Sequence, residues 1–367
     1  MAHTLQERYS DLVLAKLRNE LVLADGFVFN NDYEGDPKAG AVKIPQRDTE
    51  VAVSDYDKAN GISPTTGSTG YITMPISKDK AVNEVIDGYD AEGVPDDLVA
   101  DRLDSAGYSL AAQVDTDGGA ALLSGGTTTN VASITKDNVY ETIVDIRTAM
   151  SKAKVPNDGR RYLLVTPDIF ALILKSPEFI SASSLGDDVK QNGILGKIAG
   201  FLVKEWNDST ANLAMIAGHP RFATRVMEWG VPVHIEDLNG SGTYIGACAV
   251  QGRNVYDHKV TRSVAVRCIF SPGSLTASLA AATGEGSTGK TVVTVTAGNT
   301  GTTYAYKVNP TERATFDETS SAYAGTSLTS GTTAIEVTAG DVIEVVNLSS
   351  SKVKAVAYLT VTADDIA

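Results

Sequence analysis

The chain has 367 residues, enough for two or three domains, and its 43% hydrophobic content can bury a real core. A formal net charge of −14 argues against a dedicated nucleic-acid binder, which carries a basic patch or stripe, and otherwise favours solubility. Two cysteines, Cys248 and Cys268, make no disulfide framework; they point to a reducing site of synthesis and read as two buried thiols on strands.

The first residues, Met1-Ala2-His3-Thr4-Leu5-Gln6-Glu7, lack the basic stretch and apolar run of a signal peptide. No apolar segment approaches the roughly 20 residues that span a bilayer, so no membrane partner is expected. Thr4 opens a helix: Thr4 with Glu7 fits a capping box, and Leu5, Tyr9, Leu12, Leu17 and Leu21 lie along one side. Such a terminal amphipathic helix needs something to lie on, its own domain or a neighbour. Residues 27–80 change character. Gly35, Pro37, Gly40, Pro45, Gly61, Pro64, Gly67, Gly70 and Pro75 punctuate short alternating runs at 41–44, 50–54 and 71–74. This reads as a long, exposed, two-stranded excursion without a core of its own, which is usually a contact arm.

Residues 95–123 read as one helix, about 40 Å long. Val99, Leu103, Ala106, Leu110, Val114 and Ala121 form a narrow stripe, while Gly107, Gly118 and Gly119 weaken the run. A long, acidic, thinly hydrophobic helix is a strut rather than a catalytic scaffold. A second helix spans 138–152, with Val139, Ile143, Ile146 and Met150 as its face and Asp137 as its cap. A buried strand at 161–166 precedes a helix at 167–175, and a glycine-punctuated apolar run fills 194–203. Strands follow at 212–217, 231–235 and 243–250, with a short helix or turn at 221–227. A long strand spans 259–270. This section is α+β by pattern.

At Ser271-Pro272-Gly273-Ser274 the composition shifts to Thr, Ser, Gly, Ala and Val. Strand-like runs at 275–281, 291–297, 303–308, 334–338, 341–346 and 353–361 suggest a small all-β sandwich of immunoglobulin-like type, without helix.

Motifs that tempt are weak in context. Gly284-Glu285-Gly286-Ser287-Thr288-Gly289-Lys290-Thr291 matches the P-loop pattern, but a β-branched strand follows where a helix should point its N-terminus at phosphates. Asp115-Thr116-Asp117 starts like a calcium loop, but Gly119 and Gly126 stand where ligands belong, so it reads as a polar helix end. His234 and Glu236 share a strand face without further ligands near in sequence; His3, His219 and His258 are isolated. No catalytic, cofactor-binding or metal residue is assigned, and the chain is read as a structural protein, not an enzyme.

At Gly193-Ile194-Leu195-Gly196-Lys197-Ile198-Ala199-Gly200-Phe201-Leu202-Val203 the chain resembles a signature of tailed-bacteriophage major capsid proteins, which have the Hong Kong 97 fold. There a similar run links the helical part of the axial domain to its sheet. The order of elements over residues 1 to 270 is similar too. The resemblance implies an N-terminal arm at 1–30 and an extended β loop at 31–80. It implies a peripheral domain with the spine helix at 81–157 and 251–271, an axial domain at 158–250, and the β-sandwich at 272–367. The expected fold class is therefore α+β, a Hong Kong 97-type capsid fold plus an all-β C-terminal domain.

The same resemblance implies a function. Copies of the chain would self-assemble into hexamers and pentamers of an icosahedral head that encloses double-stranded DNA without sequence-specific binding. Assembly would take place in the host bacterial cytoplasm, with portal and scaffolding or decoration proteins as partners and the sandwich displayed outside. Because the arm starts almost at Met1, any scaffold is expected as a separate protein or not at all. Some relatives cross-link Lys to Asn; Lys38 and Lys43 lie in the loop, but no Asn partner or activating acid is identified, so that chemistry is not carried over. An encapsulin-like compartment with protein cargo shares the fold. A surface or tail adhesin acting through the sandwich is the alternative from another class.

Overall fold

The computed structural model describes residues 16, 18–23, 27–46, 50–51, 53–63, 66–67, 69–93, 98–177, 196–239, 242–296 and 303–367. In chain order these form β1 (Ala41–Gln46), β2 (Gly70–Pro75), β3 (Lys78–Asp87), α1 (Gly88–Gly93), α2 (Leu98–Gly125), β4 (Thr127–Asn130) and α3 (Val139–Lys152). Then come β5 (Tyr162–Val165), α4 (Pro167–Leu174), β6 (Lys197–Ile198), β7 (Phe201–Glu205), β8 (Leu213–Gly218), β9 (Ala223–Asp237), β10 (Ala247–Val260) and β11 (Val266–Phe270). The C-terminal part holds β12 (Gly273–Ser274), β13 (Ala277–Ala281), β14 (Lys290–Val295), β15 (Thr303–Val308), α5 (Ser320–Tyr323), β16 (Thr326–Leu328), β17 (Ala334–Glu336), β18 (Val342–Ser349) and β19 (Lys352–Thr360).

Two compact units result: Met1–Gly126 with His219–Val266, and Thr127–Gly218 with Arg267–Ala367. In the first, β10 runs between β3 and β9, antiparallel to both. The α2 helix lies on this sheet and buries Ala106 against Ile86 and Val250, with Leu103, Val82 and Val233 around them. Small residues suit a helix held flat on a sheet, because the backbones approach closely. At Gly252 of β10 an added Cβ would meet Leu110 at 3.0 Å, and at Gly125 it would meet Val260 at 2.7 Å. The helix is unbroken through Gly107, Gly118 and Gly119, since packing supplies what propensity withholds.

The segment before β1 is laced along α2. Lys16 pairs with Asp101 at 2.7 Å, Arg18 bonds Asp104 and lies over the Tyr108 ring, and the Asn19 N–H donates to Tyr108 Oη at 2.9 Å. The Leu23 N–H donates to the buried Asp115 carboxylate at 2.6 Å, and Phe29 is fully buried. Residues 18–23 are not helical, so the expected N-terminal helix does not reach Leu21; the rest of that expectation lies outside the described residues. Backbone groups there bond to α2 side chains instead of closing helical turns.

The second unit is built on a six-stranded mixed sheet in the order β4-β11-β8-β5-β7-β6. The central strands β5 and β8 are buried at every position, as a sheet covered on both faces requires. The α3 face of Val139, Ile143, Ile146 and Met150 is buried as its spacing predicts. Asp137 does not cap this helix: it pairs with Lys136, and Asn138 holds the entry by accepting from the Thr135 N–H at 2.7 Å. Buried Arg161 donates to the carbonyls of Pro156 (2.9 Å) and Val155 and to Ser151 Oγ (3.2 Å).

Three expected elements are redrawn. Residues 221–227 are a short 3-10 helix (Pro220–Phe222) running straight into β9. The 243–250 strand begins only at Ala247. The long 259–270 strand is two strands, broken by a 3-10 turn at Ser263–Ala265. In this grouping β9 pairs with β10 in the first unit, and α3 belongs to the second.

After Pro272 two sheets, β12-β19-β18-β15-β16 and β13-β14-β17, face each other across Leu275, Val293, Leu328, Ile335, Ile343 and Val345. This is a sandwich. It does contain one helical turn, α5, whose N-cap Thr319 accepts from the Ala322 N–H at 3.3 Å. The expected strand 275–281 begins only at Ala277, as β13, and β12 just before it belongs to the other sheet.

Candidate functional site

The residues that tempt from sequence do not converge. Gly284 to Gly289 form a turn with Gly284, Gly286 and Gly289 at positive φ, and β14 follows directly. Asp115 and Asp117 lie inside α2, not at its end: Asp115 accepts from the Leu23 N–H, and Asp117 accepts from Tyr256 Oη at 2.9 Å with Lys78 at 3.4 Å. His234 and Glu236 sit 4.0 Å apart on an exposed stretch of β9. His219 is buried and accepts from the Arg221 N–H, while His3 lies outside the described residues. Lys38 caps a turn with its N–H on Asp36, and Lys43 sits in β1 opposite Thr73. Cys268 is buried in β11, which pushes its thiol up to about 12; Cys248 on β10 is only half-buried. Among the described residues no group of three His, Cys, Asp or Glu side chains could hold a metal ion, and no helix is long and apolar enough to cross a membrane.

What stands out instead is exposed apolar surface. The base of the β1–β2 hairpin is anchored. Val42 faces Met74 and Ile44 faces Ile72 across the pair, and Ile44 and Met74 pack on Val226 of β9. Beyond the base the chain carries Val51, Val53 (98% exposed), Tyr56 (72%) and Ile62 out into solvent. Asp57 shapes the turn between them. It accepts from the Ala59 N–H at 2.8 Å and the Asn60 side chain at 2.6 Å, contacts that hold its carboxyl below the usual range, and Gly61 closes the turn at φ +68. A spread of large apolar side chains on a shaped loop is a protein-contact surface, since each such side chain gains about 1.5–3 kcal/mol when covered.

A second apolar set lies at the turn between β9 and β10, where Tyr244 and Ile245 (94%) are exposed. The Gly88 N–H donates to Gly246 O at 2.9 Å, which brings exposed Tyr89 of α1 to the same end of the sheet. An added Cβ at Gly88 would meet Gly246 O at 2.1 Å, so this approach demands glycine. On β9, Trp229 and Met227 are part-exposed, and the Arg253 guanidinium lies 5.3 Å from the Trp229 ring centre while bonding Asp79 at 2.8 Å. That bond raises the Arg253 pKa and lowers that of Asp79. Sequence reading found the hairpin but missed the second set; the glycines at 240, 242 and 246 were the available turn signal.

These surfaces accompany a fold with known counterparts. The sequence matches a family described as phage capsid protein over residues 84–273. Among solved structures, one from Mycobacterium phage Che8 aligns with a TM-score of 0.61 at 24% identity, covering 72% of this chain and 96% of that one. The capsid structure of cyanophage P-SCSP1u aligns with a TM-score of 0.62 at 13% identity, covering 73% of this chain and 93% of that one. The mature capsid of bacteriophage PhiM1 gives 0.59 at 13% identity, over 73% and 92%. No curated protein matches the sequence.

Proposed function

This chain belongs to the phage capsid protein family, and we propose that it builds an icosahedral head of hexamers and pentamers around a double-stranded DNA genome. It is a structural shell subunit with the Hong Kong 97 type of fold, a component of the virion, and its partners are like subunits. The finer reading is ours. Residues 1–30 act as the arm and 31–80 as the extended loop. The α2 spine with β3, β9 and β10 is the peripheral part, and the six-stranded sheet with α3 and α4 is the axial part. The immunoglobulin-like sandwich faces outward. Portal and scaffolding or decoration proteins complete the particle in the host cytoplasm, and the chain performs no catalysis.

The observation that carries this reading is the hairpin loop. Val51, Val53, Tyr56 and Ile62, each at least half exposed, project from a well-anchored base. Such a surface costs solubility unless a neighbouring copy covers it. Many modest contacts of this kind, repeated around a closed shell, hold it far more firmly than any one alone.

The test is electron microscopy of the protein purified after expression alone and with its neighbouring genes. Closed, uniform icosahedral particles are expected, and DNA inside those made with the neighbouring genes. Particles filled with protein would move the reading to a cellular compartment. Monodisperse monomers under both conditions would overturn assembly.

A further inference from the structure

Among the described strands β4 is an edge of the six-stranded sheet, beside β11. Just beyond β4 the C-terminal sandwich takes up the pairing that β11, ending before Pro272, cannot continue. The Phe316 N–H donates to Val131 O at 3.1 Å, and Ala132 and Thr315 form an antiparallel bridge. The Phe316 ring stacks on Phe270 of β11, with centres 5.8 Å apart and planes 18° from parallel, and the Lys354 ammonium lies 4.7 Å from the Phe316 ring centre. Next to Phe316, Asp317 takes a left-handed φ of +59 and pairs with both Lys352 and Lys354.

A second clasp lies at Asn212, just before β8. Its φ of +64 is a conformation that asparagine tolerates better than most residues. From there its side-chain amide donates to Lys354 O at 2.8 Å and to Ser271 O at 3.2 Å, while its own carbonyl accepts from the Ser271 N–H at 3.0 Å. Ser271 Oγ in turn donates to Ala132 O at 3.3 Å and accepts from the Ile134 N–H at 3.2 Å. A tethered appendage hangs on a linker that few contacts cross. Here Ser271 is tied to the sheet at both ends, and the sandwich clusters with 127–218 as one compact unit.

We propose that the C-terminal sandwich is a built-in brace: its 315–317 loop and Lys354 hold the ends of β4 and β11, and Asn212 is the positioning residue that clasps sandwich and sheet together. The brace stiffens the end of the sheet where β4 and β11 run out. The family match ends at Gly273, so the brace is an addition to the matched region, not part of it. The consequence for the shell rests on the proposed function, but the brace itself is a property of the single subunit.

The experiment uses the full-length subunit, followed by hydrogen exchange and thermal unfolding. Asn212→Gly keeps the left-handed backbone and removes the amide; Phe316→Ala removes the stack. Wild type is expected to open 127–134 and 315–320 together and to unfold this unit in one transition. The double variant should exchange roughly tenfold faster at 127–134 and show the sandwich melting apart from the sheet. Two independent transitions in wild type would overturn the brace. So would unchanged exchange at 127–134 in a double variant that has lost protection only within the sandwich. Because the readout needs no assembly, its failure is distinct from failure of the shell reading. Shells made with the double variant should also open at lower temperature than wild-type shells.

Discussion

The imidazole of His258 lies 4.7 Å from the Phe29 ring and 5.6 Å from Tyr256, and neither ring nitrogen has a protein hydrogen-bond partner. Burial pushes its pKa down to about 4; Arg225 on β9 and Lys78 on β3 add to the depression, while Asp257 and Asp117 oppose it. As pH falls, the unfolded chain takes this proton first, near 6.5, and the folded chain only near 4. The stability held by neutral His258 is therefore full above about pH 6.5 and is lost across that window, about 3 kcal/mol in all. Denaturant midpoints of the subunit should fall from pH 6.5 to 4, and His258→Leu should flatten that part of the profile. The lowered carboxylates, such as Asp117 and Asp317, act in a window below it. A second pair of variants separates propensity from packing. An added Cβ at Gly118 would meet Phe29 Cε2 at 3.0 Å and His258 Nε2 at 3.5 Å; at Gly107 it would meet nothing within 4 Å. Gly107→Ala should raise stability by about 1 kcal/mol, the helix-propensity gain. Gly118→Ala gains the same but overpacks a fully buried ring, at a cost of about 1–3 kcal/mol, so its melting temperature should fall. Sequence alone could not rank these glycines, because the Phe29 contact comes from a residue about 90 positions away.

At the scale of elements, what periodicity can report was legible. The α2 stripe as far as Val114, the α3 face, the β1–β2 hairpin and the change of texture at Pro272 all come from local pattern, and the structure contains each of them; near the end of α2 it buries Leu122 in place of Ala121. What failed was non-local or too short to disturb a pattern. The Ser263–Ala265 turn interrupts a run whose apolar alternation continues on either side, so two strands read as one. Residues 18–23 carry a helical spacing but spend their hydrogen bonds on Tyr108 and Asp115 of α2. The hairpin loop is where element and function meet, and it yields a clean separation of folding from assembly. Replacing Val51, Val53, Tyr56 and Ile62 together by serine removes side chains that touch little of their own chain. The subunit's melting temperature should stay close to that of wild type, as for exposed substitutions generally. Particles should no longer form, by electron microscopy or sedimentation. A variant that still closes shells would move the assembly contact away from this loop, leaving the Tyr89, Tyr244 and Ile245 end as the next surface to change.

On the scale of the whole molecule, the chain passes between its two units after Gly126, after Gly218 and again after Val266. None of these crossings carries a composition break, because each falls within or beside an ordinary strand, so sequence texture alone does not mark them. Charge, by contrast, is a global quantity that sequence gives directly. Each copy carries a formal −14, so copies brought together repel through any gap shorter than the screening length, about 10 Å at 0.1 M salt. The exposed surfaces offered for contact are apolar: Val53 on the loop, Ile245 at the turn. Salt weakens the repulsion and leaves apolar burial intact. The threshold concentration for shell formation, followed by light scattering, should therefore fall as salt rises from about 0.05 to about 0.5 M. Contacts dominated by ion pairs between copies would give the opposite slope. The same negative balance bears on the contents. A chain with a formal net charge of −14 offers DNA no net positive charge, so retention of DNA in closed particles should depend on the integrity of the shell more than on salt.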